Sequence, residues 1–163
     1  MRSHIPATVV AVVAVRGEDV DRVGAWAALL RVHAAVVPKL GKDLSRQGMP
    51  LSWYDVLLGL NAAPGRRLRM TEVAAHAVLS RERISRVVGE LEQAGLVRRE
   101  ANPDDRRSAF AVLTDEGHVR LRAAAPTYLS GIERHYTSHL TDSEIRVLTR
   151  ALNRVLAAEE PRR

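Results

Sequence analysis

Apolar residues recur at helical spacing over most of the chain. Between Asp19 and Lys42, the residues Val20, Val23, Ala27, Leu30, Ala34 and Val37 stand three or four apart, one stripe of a long amphipathic helix. Pro38 is expected to kink or end it. Gly48-Met49-Pro50 breaks the pattern. Ser52 then stands where an N-cap belongs, with Asp55 three residues on, so a second helix is expected over 53–62, closed by Pro64-Gly65. Thr71 is placed to cap a short helix through Ala77. Ser80 is placed to cap the next, whose end Gly95 marks. In that helix Ile84, Val87, Val88 and Leu91 fall at i, i+3, i+4 and i+7 and predict its buried face. The period then changes from helical to alternating. Residues 96–100 and 108–113 read as two strands joined by the turn Asn102-Pro103-Asp104-Asp105. Thr114 opens a long helix expected to run to about His139, with Pro126 as a kink. Thr141-Asp142-Ser143-Glu144 is a capping box for the last helix, whose stripe is Ile145, Leu148, Ala151, Leu152 and Val155.

This order predicts a mostly α protein with a small β-hairpin wing: a helix-turn-helix and hairpin flanked by N- and C-terminal dimerisation helices. Residues 1–18 read as an N-terminal extension whose β-branched residues leave strand or helix undecided. Residues 19–163 read as one domain, with a DNA-binding lobe over 50–114 and dimerisation helices over 19–48 and 115–158. The terminal helices carry more apolar surface than a small central module covers. A homodimer, with the excess buried across a two-fold axis, is therefore expected.

Composition narrows the function. The 163 residues suffice for one domain with a real core. A net charge of +6 favours a polyanionic partner. All of the 25 basic residues but Lys39 and Lys42 are Arg, the better residue for bidentate contacts to guanine and phosphate, though a GC-rich genome would leave the same bias. There is no Cys, which excludes disulfides, thiolate metal sites and thiol redox sensing. The uncharged run Ala7–Val15 is too short to span a bilayer, and Arg16, Glu18 and Asp19 follow where a signal-peptide cleavage site would lie. A cytoplasmic protein without a membrane partner is expected.

The stretch from Met70 to Thr114 holds the chemistry. Opposite the buried stripe of its second helix lie Glu82, Arg86, Gly89 and Gln93, flanked by Arg83 and Ser85. Recognition helices contact base edges from their N-terminal half, and hydroxyl and guanidinium groups suit those edges. Arg81 lies nearer the buried edge and suits phosphate, beside the helix N-terminus at Ser80. Glu90 and Glu92 come further along, where repulsion from DNA matters less. The hairpin tip adds Asp105, Arg106 and Arg107. An arginine-bearing helix face alone is usually just solvated. Here the turn, the glycine and the basic hairpin follow at the distances a winged helix requires.

The sequence resembles the MarR family of winged helix-turn-helix transcriptional regulators. The resemblance lies in LSWYDVLLGL (51–60), RLRMTEVAAHAVLSRERISRVVGELEQAGLVRRE (67–100), NPDDRRSAFAVLTDEG (102–117) and LTDSEIRVLTRALNRVL (140–156). It covers nearly everything after residue 18. Its most specific element is Asp-x-Arg with Leu-Thr six residues after the Arg, met by Asp105, Arg107, Leu113 and Thr114. The resemblance implies a dimer base made of the first, fifth and sixth helices. It also implies recognition helices in successive major grooves of a pseudo-palindromic double-stranded operator. Arg107 would then enter the minor groove with Asp105 orienting it. Two residues apart on a hairpin, the pair would share a face.

The resemblance further implies a repressor released by a small aromatic or phenolic ligand. Trp26, His33, Trp53, Tyr54 and Tyr128 are the candidate pocket residues, aromatics with a polar handle suiting such a cleft. Aromatics on amphipathic helices are more often core. A DNA-binding architectural or regulatory protein without an effector is the alternative. No metal or cofactor is expected: His135 and His139 stand at i, i+4, but no third ligand is evident. No nucleophile elbow or phosphate loop marks an enzyme.

Overall fold

The computed structural model describes residues 21–76, 81–103, 105 and 108–159, with Ala75, His76, Arg81 and Glu82 described by their backbone alone. The predicted Val20, Ala77, Ser80, Asp104, Arg106 and Arg107, and the extension 1–18, lie outside the described residues. The helices are α1 (Arg22–Ser45), α2 (Leu51–Ala62), α3 (Met70–His76), α4 (Arg81–Gln93), α5 (Asp115–His135) and α6 (Asp142–Glu159). The strands are β1 (Arg67–Arg69), β2 (Val97–Ala101) and β3 (Ala109–Leu113). The fold is mostly helical with a small antiparallel sheet.

The chain divides into two units, residues 1–35 and 36–163, and each is taken by itself. In the first, Asp21 caps α1: its Oδ1 accepts from the Gly24 N–H at 2.6 Å. Val23, Trp26, Leu29, Leu30 and Val32 are all exposed. One 18-residue stretch of α1, with mean hydropathy 1.3, is long and apolar enough to cross a membrane by length and composition alone.

Pro38 lies inside α1 and does not end it. The stop comes at Gly48 instead. The Met49 N–H bonds the Leu44 carbonyl at 3.2 Å and the Gly48 N–H bonds that of Ser45 at 3.0 Å, with Gly48 at φ +69°. α4 ends the same way: Leu96 N–H to the Leu91 carbonyl at 2.9 Å, Gly95 N–H to Glu92 at 3.0 Å, and Gly95 at φ +72°. In both Schellman closures the residues joined by the longer bond are buried leucines or methionine, so helix end and core are set together. Pro38 costs one amide donor, which the following turn and a proper C-cap outweigh.

Two expected caps move. α2 starts at Leu51, so Ser52 is already inside its first turn and makes no cap. Pro50, held extended at ψ 141°, offers its carbonyl to the Trp53 and Tyr54 amides, and the helix begins one residue later. α3 starts at Met70, so Thr71 is also inside. Its first turn is closed by Glu72, whose Oε2 accepts from the Arg69 N–H at 2.7 Å. The capping box of α6 forms in both directions: Glu144 Oε2 accepts from the Thr141 N–H at 2.8 Å, and Thr141 Oγ1 from the Glu144 N–H at 3.3 Å.

The hairpin is β2 paired with β3 from Val97↔Leu113 to Ala101↔Ala109, one residue off the expected bounds. A third strand, β1, pairs on the other edge of β3, with Leu68 opposite Ala111. β3 is thus central in the order β1-β3-β2. Its Ala111, Val112 and Leu113 are buried, as the apolar side chains of a central strand allow. The core runs beneath this sheet and joins α2, α3, α4 and the start of α5, through Val56, Leu57, Leu60, Val73, Val88 and Leu91.

Candidate nucleic-acid interface

α4 is mounted by its apolar stripe. Ile84, Val87, Val88 and Leu91 are all at most 3% exposed, as their spacing predicted. Phase then dictates the rest, and Arg83, Ser85 and Arg86 are exposed along the opposite side. The side chain of Arg81 and all of Ser80 fall outside the description.

The helix is also clamped to the sheet. On β2, the Arg99 guanidinium stands 3.4 Å from Glu92 Oε2 and donates to the Ser85 carbonyl at 3.4 Å, while its amide donates to Glu92 Oε1 at 3.3 Å. Glu92 therefore serves to hold α4 on β2. Glu90 is engaged as well. Its Oε2 accepts from the Trp53 indole N–H at 2.9 Å and its Oε1 lies 3.8 Å from Arg86 Nε. The pairings give these acids structural partners that their position along the helix does not reveal.

The wing is closed at its base by Asn102, 2% exposed. Its Nδ2 donates to Ser108 Oγ at 2.8 Å, its amide to the Ser108 carbonyl at 3.3 Å, and the Ser108 hydroxyl donates to the Asp105 carbonyl at 3.1 Å. β3 begins only at Ala109. Asp105 therefore sits in the connecting loop, and Arg107 lies outside the described residues. The Leu-Thr end of the wing motif has a structural cause. Leu113 is in the core. Thr114 caps α5, accepting from the Gly117 N–H at 3.0 Å and donating to the Gly95 carbonyl at 2.8 Å. One residue thus joins the end of α4, the wing and α5.

The candidate pocket residues fall in both units and are described in each by itself. Trp26 and His33 are exposed on α1 in the first unit. Tyr54 is buried and meets Tyr128 ring to ring, 4.5 Å between centroids, which joins α2 to α5. Burial, then neighbouring charge, pushes both hydroxyls above the usual tyrosine range. Asp55, beside them, is pushed by burial up to about 6. Trp53 gives its N–H to Glu90. An open cleft of about 370 Å³ lies within the second unit, lined by Asp43, Arg46, Gln47, Pro126, Thr127, Ser130 and Arg134, and none of Trp53, Tyr54 and Tyr128 borders it.

The histidine pair separates. α5 ends at His135, and His139 lies in a 3-10 turn, so they do not share a helix face. His135 Nε2 instead faces Asp43 at 3.4 Å. Among the described residues no group of three or more His, Asp or Glu is placed to hold a metal.

A helix pair packed on a three-stranded sheet, its second helix showing arginines outward and its hairpin extended beyond, defines a winged helix-turn-helix protein. The MarR family model matches residues 47–108. The transcriptional repressor Rv2887 of Mycobacterium tuberculosis is 31% identical over 127 residues, which is 78% of this chain and 89% of that protein. Among solved structures, AbsC of Streptomyces coelicolor, a MarR family transcriptional regulator, aligns with a TM-score of 0.75 at 32% identity over 88% of this chain and 97% of its own. Sco3205 of the same organism, solved in complex with DNA, aligns with a TM-score of 0.76 at 34% identity over 90% and 93%. The chain belongs to the MarR family of transcriptional regulators.

Proposed function

We propose that the protein is a homodimeric repressor in the cytoplasm that reads a pseudo-palindromic DNA operator with α4 and the wing. The observation that carries this reading is the mounting of α4: one face fixed in the core, the other turning Arg83, Ser85 and Arg86 outward. The DNA complex of the similar Sco3205 supports it. In this reading Arg83, Ser85 and Arg86 meet bases, Ser80, Arg81 and Arg106 meet phosphates, and Arg107, oriented by Asp105, enters the minor groove. Residues 50–114 form the DNA-binding lobe, 19–48 and 115–158 the dimer base, and 1–18 an extension.

A second copy is the proposed cover for the apolar residues exposed on α1 and α6, in place of a bilayer. Selection of bound duplexes from random DNA tests the reading. The expected result is a two-fold symmetric site with half-sites about 10 bp apart. Recovery of unselected sequence, or binding that does not weaken with salt, would overturn it. Small aromatic or phenolic acids are the proposed effectors, with Trp26, His33, Trp53, Tyr54 and Tyr128 as the residues to probe. Release of the selected operator by such acids, read with Trp quenching, separates a ligand-responsive repressor from a regulator without an effector.

A further inference from the structure

We propose that Glu90 is a specificity-determining positioning residue for Arg86 and that Trp53, on α2, anchors it. The proposal rests on α4 reading bases. An arginine on an exposed helix face has many rotamers, and its guanidinium can settle on a phosphate as readily as on a guanine edge. Arg86 is such a residue, its side chain 71% exposed. Glu90, one turn on, faces its Nε, with Oε1 3.8 Å away. At that distance the pair is an ion contact and not a hydrogen bond, and a bidentate contact with guanine O6 and N7 would use the guanidinium's terminal nitrogens.

Glu90 could not do this if its own side chain were loose. Its second oxygen accepts from Trp53 Nε1 at 2.9 Å. The indole N–H is only a donor, and the Trp53 ring packs half-buried against the core. The core thus holds the ring, the ring holds one carboxylate oxygen, and the other oxygen biases the guanidinium electrostatically from 3.8 Å. A negative charge beside the reading face also has a sequence-independent effect. It repels phosphate wherever Arg86 is not properly engaged, which penalises non-specific binding more than specific binding.

The test compares the full-length wild type with E90Q, W53F, R86A and the W53F/R86A double variant. Each is titrated against the selected operator, its single-base variants and random duplex. R86A is expected to lose preference at one position of the half-site by roughly tenfold or more. E90Q and W53F are expected to lower preference at that same position by roughly threefold to tenfold, with random-duplex binding unchanged or tighter. W53F should add nothing to R86A. E90Q retains an oxygen that accepts from Trp53, so it removes the charge without disturbing the anchor and keeps the test valid if W53F lowers stability. Unchanged preference in E90Q and W53F, with R86A relaxed, overturns the proposal and leaves the repressor reading standing. If R86A keeps every preference while wild type still selects an operator, Arg86 is not a base reader and the proposal falls with it. A wild type that selects no sequence overturns both.

Discussion

α4 and α6 are alike as sequences and opposite as structures. Each carries an apolar stripe at steps of three and four with charged residues opposite. The stripe of α4 is closed, with Val88 and Leu91 at 0% exposure. That of α6 is open, with Leu152 at 36% and Val155 at 59%, and no residue of α6 is buried. Amphipathicity states that a helix has a partner and not where the partner is. α4 finds its partner in α2, α3 and the sheet of the same chain. α6 holds its shape by its capping box and leaves its stripe for something else, which we propose is the second protomer.

The sharpest test of that contrast is truncation on each stripe. Leu91→Ala should cost about 2–5 kcal/mol of unfolding free energy in denaturant titrations, because a filled core site is emptied. Aspartates at Leu152 and Val155 together should leave the fold of residues 36–135 intact by amide exchange. They should convert a dimer to a monomer in light scattering and lower operator affinity by roughly 10²–10⁴, the avidity of two linked half-sites. A monomeric wild type would break the comparison outright.

Arg107→Ala comes next. Operator affinity should fall by about tenfold to a hundredfold with the melting temperature unmoved, since the side chain is proposed to touch DNA and not the core. Unchanged affinity at physiological salt would remove the wing from the reading face.

Asp55 gives a smaller effect with a definite sign. Its carboxyl, raised by burial to about 6, holds a proton in the folded chain that the unfolded chain releases from about pH 4 upward. Stability should therefore fall as pH rises between about 4 and 6. Partial exposure screens the penalty to about 1 kcal/mol at neutral pH. Asp55→Asn should recover that amount at pH 7.5 and nothing at pH 4, read by paired melts. The smallest effect is expected at Thr141→Ala, about 0.5–1 kcal/mol confined to α6, because one side of a capping box is lost.

Much of the helix-turn-helix, its hairpin and the start of α6 was legible along the chain because their signals are local. The stripe 84-87-88-91, Gly95 after α4, Thr114 before α5 and the box 141–144 each depend on neighbours within a few residues, and each stands where it was expected. The losses are as instructive. β1 escaped because Arg-Leu-Arg is too short to show alternation and exists only as an edge for β3. Ser52 and Thr71 look like caps, yet Pro50 and Glu72 start their helices earlier by other bonds. The hand of Glu90 on Arg86 is an i, i+4 relation and could have been read. Its bond to Trp53, 37 residues away, could not.

The order of amino acids by itself determined the helices and the β2–β3 hairpin, the phase of α4 and hence which residues face outward, and the chemistry available on that face. Those follow from backbone periodicity and from caps, which act over one or two turns. The tertiary structure alone decided what each apolar face meets. It sent Tyr54 and Tyr128 into a core contact and tied Trp53 to α4. It also gave Glu92 to Arg99 and left α6 uncovered. Burial and side-chain pairing depend on distances between residues far apart in the chain, and periodicity carries no information about those.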